Sequence, residues 1–487
     1  MTATTPAHDV DAAVASAAAV AALVEEAGPR VRASALCAAA DALDDGADAL
    51  VALAGAETSL REARLRSELR RTTFQLRFFA GIVEAGEYLE VAIDHADPDW
   101  PPAPRPDLRR MLVPLGPALV FTASNFPFAF SVAGGDTAAA IAAGCPVVVK
   151  AHSGHPRLSD ATAELVSAAL EGAGLPPGTL SVVHGRDAGL RAIVDPRVRV
   201  ASFTGSQEAG RLLFDLAAGR PDPIPFYGEL GSLNPVFVTR AALARREEEI
   251  AQGYVGSFTL DAGQFCTKPG IVLVPRESSL AERVAGLSGA SDGAAMLNDR
   301  CRASYCDAVA ALGAHESVSV LLAGSVSAGG AVTPSVLATS VEDLVADPEG
   351  IVSECFGPAT LLVYYDREEQ LLEAAESFTG ELTATVHAEP GEPILEQLLP
   401  RLRGIAGRVL WNGWPTGVAV TWAMQHGGPY PAATARETSV GAAGIGRFLR
   451  PVTYQGFPDA LLPEALREDN PLGLPRRVDG VLRPATR

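Results

Sequence analysis

Cys266 lies in the segment Gly263-Gln264-Phe265-Cys266-Thr267. A cysteine two residues after a Gly-Gln step can sit on a tight loop with its sulfur facing a cleft. A thiolate there is a strong nucleophile towards carbonyl carbon. Taken alone, a single cysteine reads as a small buried hydrophobe. Four other segments change that reading. Asn125, in Ser124-Asn125-Phe126-Pro127, carries an amide that can donate to a developing oxyanion. Glu229, in Tyr227-Gly228-Glu229-Leu230-Gly231, is a glycine-flanked carboxylate that can serve as general base for a water. Lys150 ends the apolar run Val147-Val148-Val149 and can reach a ribose or phosphate. In Phe203-Thr204-Gly205-Ser206, Gly205 lets the backbone approach closely, and Ser206 with free helix N–H groups can hold a pyrophosphate. Singly, each has a plain structural reading: a turn Asn, a surface acid, a snorkelling Lys, a helix N-cap. Together they describe one device. A thiolate attacks an aldehyde, an amide and the Cys266 N–H hold the oxyanion, a dinucleotide takes the hydride, and a carboxylate activates water to release the acid.

These residues need a sheet edge to bring them together. Residues 8–90 read as helical, with breaks near Gly28-Pro29 and Gly55. Residues 95–107 read as an exposed Asp/Pro-rich connector. Strands follow at Leu119 to Phe121, Val147 to Val149, Leu180 to Val183, Val198 to Phe203 and Ile224 to Tyr227, with helices expected at 128–143, 158–173, 187–194 and 206–218. This alternation predicts an α/β fold with a mostly parallel, doubly wound sheet, whose ligands sit at the carboxyl ends of the strands. A second block begins near Gly231, with strands at Pro235 to Val238, Ile271 to Val274, Thr360 to Tyr365 and Arg408 to Trp411, and helices at 241–259 and 300–313. The tail from 465 reads as extended. The dinucleotide fingerprint GxGxxG follows no early strand, and Gly441-Ala442-Ala443-Gly444-Ile445-Gly446 comes too late with the wrong spacing.

Composition narrows the classes. The 487 residues carry a formal charge of −19, which argues against nucleic acid as a partner, because phosphate binding needs a basic face. Any anionic ligand must therefore meet a local cluster of cations. The six cysteines form no CxxC pair and have no His at zinc-ligand spacing, so neither a metal site nor a disulfide framework is expected. Asp9 and Asp11 precede the Ala/Val-rich stretch at 12–24, where a secretion signal would carry Lys or Arg. No apolar run reaches the roughly eighteen residues of a membrane span. A reducing cytoplasm is the simpler expectation.

Seven segments resemble the aldehyde dehydrogenase superfamily and occur in its order. They are Ser124 to Pro127, Val147 to Lys150, Leu175 to Gly178, Phe203 to Ser206, Glu229 to Gly231 with Asn234-Pro235, Gly263 to Cys266, and Glu354 to Pro358. The resemblance covers nearly the whole chain. It implies Cys266 as nucleophile, Asn125 as oxyanion donor and Glu229 as base. It places Lys150, Ser153, Thr122, Gly205 and Ser206 on the cofactor's adenosine and pyrophosphate, and Glu354 with Phe356 at the nicotinamide ribose and ring. It implies a dinucleotide-binding domain at 1–90 and 112–230, a catalytic domain at 231–430, and an oligomerisation arm with C-terminal tail at 91–111 and 431–487, in a homodimer or homotetramer.

Two departures narrow the reading. NAD-preferring members usually carry Glu three residues after the lysine; here that residue is Ser153, in Lys150-Ala151-His152-Ser153-Gly154-His155-Pro156. Losing a carboxylate removes repulsion against a 2′-phosphate, so NADP is favoured and NAD remains possible, with His152 and His155 as further candidates. Many members read Glu-Leu-Gly-Gly-Lys where this chain has Glu229-Leu230-Gly231-Ser232-Leu233. Longer stretches, among them Ser232 to Pro235, Phe265 to Pro269, Trp414 to Gly417 and His426 to Pro429, are similar to the branch that oxidises 2,5-dioxopentanoate (α-ketoglutaric semialdehyde). That substrate is an anion. On the helix that lines the aldehyde tunnel in the family, Arg71 is the candidate cation, with Gln75 one turn on and Phe126 beside the aldehyde; alternatively, Arg71 pairs with an acid such as Glu68. The alternatives are another semialdehyde, a fatty or aromatic aldehyde, or a catalytically silent relative that only binds. Phosphate- or CoA-dependent release is disfavoured by Glu229, which suggests water.

Overall fold

The computed structural model describes residues 4–485. A five-stranded, all-parallel sheet runs in the order Leu180–His184, Val147–Ala151, Ala118–Phe121, Val200–Thr204, Phe226–Glu229. Its strands are apolar runs rather than alternating patterns because helices cover both faces: Val147, Val148 and Val149 are fully buried. The chain enters at the central strand, winds outward to Leu180–His184, then reverses to Val200–Thr204. That reversal opens a crevice at the carboxyl ends of the central strands, where this class of sheet binds ligands.

A seven-stranded sheet follows in the order Ser319–Leu322, Ser335–Ser340, Ala359–Tyr365, Ile271–Pro275, Val236–Val238, Glu381–His387, Ala406–Trp411, parallel except for its first edge strand. A third sheet joins Leu449–Gln455, Leu108–Pro114, Ala92–Asp94, Arg476–Val478 and Val481–Arg483. It ties the middle of the chain to its end, so the tail expected to be simply extended carries two paired strands.

Other expectations need correcting. The early helices break at Gly28 and Gly46, while Gly55 lies inside the helix Ala47–Thr58. Helix 128–143 begins only at Gly135, because residues 128–134 form buried turns beneath the site. Glu381–His387 went unread because a Glu and Thr-rich stretch resembles an exposed segment; paired on both sides, with Val236–Val238 and Ala406–Trp411, all seven residues are buried. The helix Ala7–Glu26 is, against expectation, long and apolar enough to cross a membrane by length and composition alone. In the fold its Val10, Val14 and Ala17 pack with Leu119, Phe121 and Val148 on the five-stranded sheet. The helices Gly135–Ala143 and Pro156–Gly172 cover the opposite face, and Gly28–Asp45 and Glu62–Ala85 pack over them through Leu36, Leu43, Leu65, Leu76 and Phe79.

Candidate active site

The cysteine loop needs an unusual backbone. Asp261, Ala262 and Gly263 all have positive φ, at 46°, 58° and 65°. A Cβ on Gly263 would stand 2.4 Å from the Gly357 carbonyl oxygen, so only glycine lets this loop dock against the Glu354–Pro358 segment. Gln264 anchors the turn: its Oε1 accepts the Leu297 N–H at 3.0 Å. Its carbonyl accepts from Asn125 Nδ2 at 3.0 Å, which brings the predicted amide to the residue two before Cys266. Asn234 Nδ2 donates to the Cys266 and Lys268 carbonyls at 2.8 and 2.9 Å, holding the loop from below.

The Asn125 loop is held by a buried ion pair that sequence reasoning missed. Glu68, 2% exposed, accepts from the Phe128 and Ala129 N–H groups at 2.8 and 2.9 Å and from Arg64 Nη1 at 2.9 Å. Arg64 continues to Asp261 at 3.0 Å, bridging the two loops. Glu68 therefore serves Arg64 and not Arg71. Among the described residues, Arg71 has neither an ion-pair partner nor a hydrogen bond, and its buried Nε is unpaired. Its guanidinium carbon lies 5.3 Å from the Phe130 ring centroid and 5.8 Å from that of Phe126. Phe126 in turn packs edge-on against Phe265, with ring centroids 5.5 Å apart. Gln75 lies deeper, its Nε2 unpaired and close to Gly135.

Glu229 is 2% exposed. Its Oε1 accepts from Arg447 Nη2 at 2.7 Å, while Oε2 is buried and unpaired. Arg447, 1% exposed, also reaches Asp136 at 3.2 Å and the Glu437 carbonyl at 3.0 Å. Burial pushes the Glu229 carboxyl up to about 8; Arg447 opposes this and Asp136 adds to it. The Cys266 thiol is pushed up to about 12, first by burial, then by Glu229 and Glu354, against the pull of Arg71 and Arg408. Arg408 stands in the edge strand Ala406–Trp411, donates to the Pro415 and Gly417 carbonyls, and keeps its own Nε unpaired. Sequence reading gave no site role to Arg447, to Arg408 in its expected strand, or to His426 in the His426 to Pro429 stretch. The His426 ring Nε2 lies 3.6 Å from Cys266 Sγ.

Across the crevice, the predicted cofactor residues share the carboxyl edge of the five-stranded sheet. Thr122 is buried and bonds the Lys150 carbonyl through its N–H at 3.2 Å. The Lys150 ammonium has no partner among the described residues, and burial holds its pKa below the usual lysine range. Ser153 is exposed at the turn that follows. Ser206 is the N-cap of the helix Gln207–Ala218, accepting from the Ala209 N–H at 3.4 Å, with the first helical turn exposed. A Cβ on Gly205 would stand 2.5 Å from the Phe203 ring. Glu354 closes in from the other sheet: its Oε2 would lie 2.5 Å from a Cβ on Gly231. Burial first, and then Glu381, push Glu354 up to about 7, against Lys268. A free cation, an open helix N-terminus and glycine-lined close approaches fit a dinucleotide. His155 does not take part: it is fully buried, with Nε2 on the Ala123 carbonyl at 3.1 Å. His152 is turned back on the loop, its Nδ1 accepting from the Gly154 N–H at 3.0 Å. Ser232 does more than fit the turn: its hydroxyl donates to Glu381 at 2.6 Å, and the same carboxylate oxygen accepts the Leu233 and Asn234 N–H groups.

The chain matches the aldehyde dehydrogenase family over residues 2–450. It is 44% identical to α-ketoglutaric semialdehyde dehydrogenase 2 of Azospirillum brasilense, over 92% of this chain and 87% of the relative. It is 42% identical to the α-ketoglutaric semialdehyde dehydrogenase of Acinetobacter baylyi, over 88% and 83%. Among solved structures, it resembles the glyceraldehyde-3-phosphate dehydrogenase GapN of Methanocaldococcus jannaschii complexed with NADP, with TM-score 0.78, 18% identity and coverage of 93% and 95%. It also resembles aldehyde dehydrogenase C of Pseudomonas syringae, with TM-score 0.77, 24% identity and coverage of 94% and 91%. It spans 45% of the length of the proline utilization A structures it resembles, with TM-score 0.78 and 24% identity. By the family match and these relatives, the chain belongs to the aldehyde dehydrogenase family.

Proposed function

We propose that this enzyme oxidises 2,5-dioxopentanoate to 2-oxoglutarate with NADP. The observation that carries the substrate is Arg71: a guanidinium with a buried, unpaired Nε, among aromatic rings on the Cys266 side of the crevice. Leaving such a donor unsatisfied is costly unless a ligand satisfies it. A carboxylate does so, and a neutral aldehyde does not. The names of the two relatives at 42–44% identity support the same substrate.

The chain's own residues supply the chemistry as follows. Arg71 holds the substrate carboxylate, and Phe126 flanks the carbon chain. Cys266 attacks the aldehyde carbon, while Asn125 Nδ2 and the Cys266 N–H stabilise the oxyanion. A nicotinamide bound in the crevice would supply the hydride acceptor. Glu229 leaves Arg447, takes a proton from water, and the hydroxide cleaves the Cys266 thioester. Lys150, Ser153, Thr122, Gly205 and Ser206 hold the adenosine and pyrophosphate, with Ser153 exposed where a 2′-phosphate needs a neutral donor. Glu354 and Phe356 position the nicotinamide end. We assign 1–90 and 112–230 to the cofactor domain, 231–430 to the catalytic domain, and 91–111 with 431–487 to an oligomerising arm in a cytoplasmic homodimer or homotetramer.

The test is kinetics on 2,5-dioxopentanoate, succinic semialdehyde and a neutral aldehyde, each with NADP and NAD. The highest kcat/KM is expected for 2,5-dioxopentanoate with NADP. An equal value for the neutral aldehyde overturns the substrate reading, and an equal value with NAD overturns the cofactor reading.

A further inference from the structure

We propose that His426 is a catalytic residue that accepts the Cys266 thiol proton as the sulfur attacks the aldehyde. This rests on the reading of Cys266 as nucleophile. The structure places His426 Nε2 3.6 Å from Cys266 Sγ, the one hydrogen-bond partner of this imidazole among the described residues. His426 is 3% exposed, and its backbone is locked. Its N–H donates to Thr438 Oγ1 at 2.8 Å, and its carbonyl accepts the Ser439 N–H at 2.9 Å. The ring tilts against Phe130. Gly427, at φ 151°, follows it and lets Glu229 approach from the other side. A buried imidazole so constrained is aimed at the sulfur.

Burial and the surrounding charges set its protonation state. Burial first, and then Arg408, Arg71 and Arg447, which all face it, hold its pKa down to about 3. The imidazole is therefore neutral, with a lone pair available, at any pH where the enzyme works. Burial first, and then Glu229 and Glu354, keep the resting proton on sulfur. Transfer must then be concerted with attack. As the S–C bond forms, the S–H bond breaks and its proton passes to Nε2, while the carbonyl π pair becomes the oxyanion. The imidazolium, so strongly acidic, passes that proton on to water, and the leaving thiolate takes up a proton from solvent when the thioester is cleaved. Glu229 is thereby left to serve the water step alone, one base for each half-reaction.

The test is alkylation of the cofactor-free enzyme by iodoacetamide, with the labelled residue identified by mass spectrometry. Wild type should react at Cys266 with a rate that changes little between roughly pH 6 and 8, since a neutral base is already in place. His426→Phe should react about 10²-fold more slowly near neutrality, with a rate that rises about tenfold per pH unit as free thiolate forms. His426→Gln, which keeps a polar side chain, should show the same slope, and NADP binding should be unchanged in both. Wild-type alkylation that already rises tenfold per unit overturns the proposal without any variant, as does an unchanged profile in His426→Phe. Label absent from Cys266, or full activity in Cys266→Ala, instead overturns the nucleophile reading beneath it.

Discussion

At the carboxyl edge of the five-stranded sheet, Ser153, Gly205 and Ser206 are exposed, and Lys150 has no partner among the described residues. Around Cys266 the arrangement is the reverse. Glu68, Glu229, His426 and Arg447 are each no more than 3% exposed, and all but His426 are ion-paired. The first region presents backbone and unpaired donors to a ligand that brings its own charge. The second concentrates charge in a small buried volume, where interactions are weakly screened and each group moves its neighbour's pKa. The proposed cofactor edge is built from local geometry, whereas the proposed nucleophile and water base depend on groups that face them from elsewhere.

Breaking the buried region should have the largest consequences. Cys266→Ala should lower turnover by at least about 10⁴-fold while leaving NADP binding intact, measured by steady-state kinetics and cofactor fluorescence. Glu229→Gln should slow turnover by about 10²- to 10⁴-fold after a burst of about one NADPH per active site, seen by stopped flow. A uniformly slow reaction without the burst would assign Glu229 an earlier step.

Arg71→Leu should lower kcat/KM for 2,5-dioxopentanoate by about 10- to 10²-fold, the worth of a charged hydrogen bond, and barely change that of a neutral aldehyde. Equal losses on both substrates would make Arg71 a packing residue.

The Glu229 cluster allows a test of sign. A base with its pKa raised to about 8 is largely protonated at neutrality, so thioester hydrolysis should rise with pH through that value. Asp136→Asn removes a repelling charge and should move the inflection down. Arg447→Lys, which loses the short contact to Oε1, should move it up. Pre-steady-state pH profiles of both variants check the pair, and shifts in the same direction would refute the electrostatic account.

The smallest effect is expected at the open edge. Ser153→Glu should shift preference from NADP towards NAD by about tenfold in kcat/KM, since it only restores repulsion at an exposed site.

Legibility followed the same division. Lys150 stands in the strand Val147–Ala151, Gly205 and Ser206 directly follow Val200–Thr204, and Asn125 comes shortly after Ala118–Phe121, so short apolar runs were enough to place these candidates at one sheet edge. The seven-stranded sheet was harder: Glu381–His387 opens with a polar residue, yet that residue is the anchor for the Ser232–Asn234 turn 147 to 149 positions away. Arg447 meets Glu229 across 218 positions, and His426 meets Cys266 across 160. No period or spacing encodes such encounters. An Arg after Gly446 and a His before Gly427-Gly428 give no local sign of their partners.

By itself the sequence determined which atoms are present to react: a cysteine on a glycine turn, an amide, a carboxylate, a lysine at a strand end, and a Ser in place of an acid. It determined too that these would gather at sheet edges, because buried parallel strands are apolar runs whose carboxyl ends face a common crevice. The tertiary structure alone decided their protonation and their partners. A pKa is set by burial and by charges within a few ångströms. Those distances exist only once Arg71, Arg408, His426 and Arg447 have been folded in around Cys266 and Glu229.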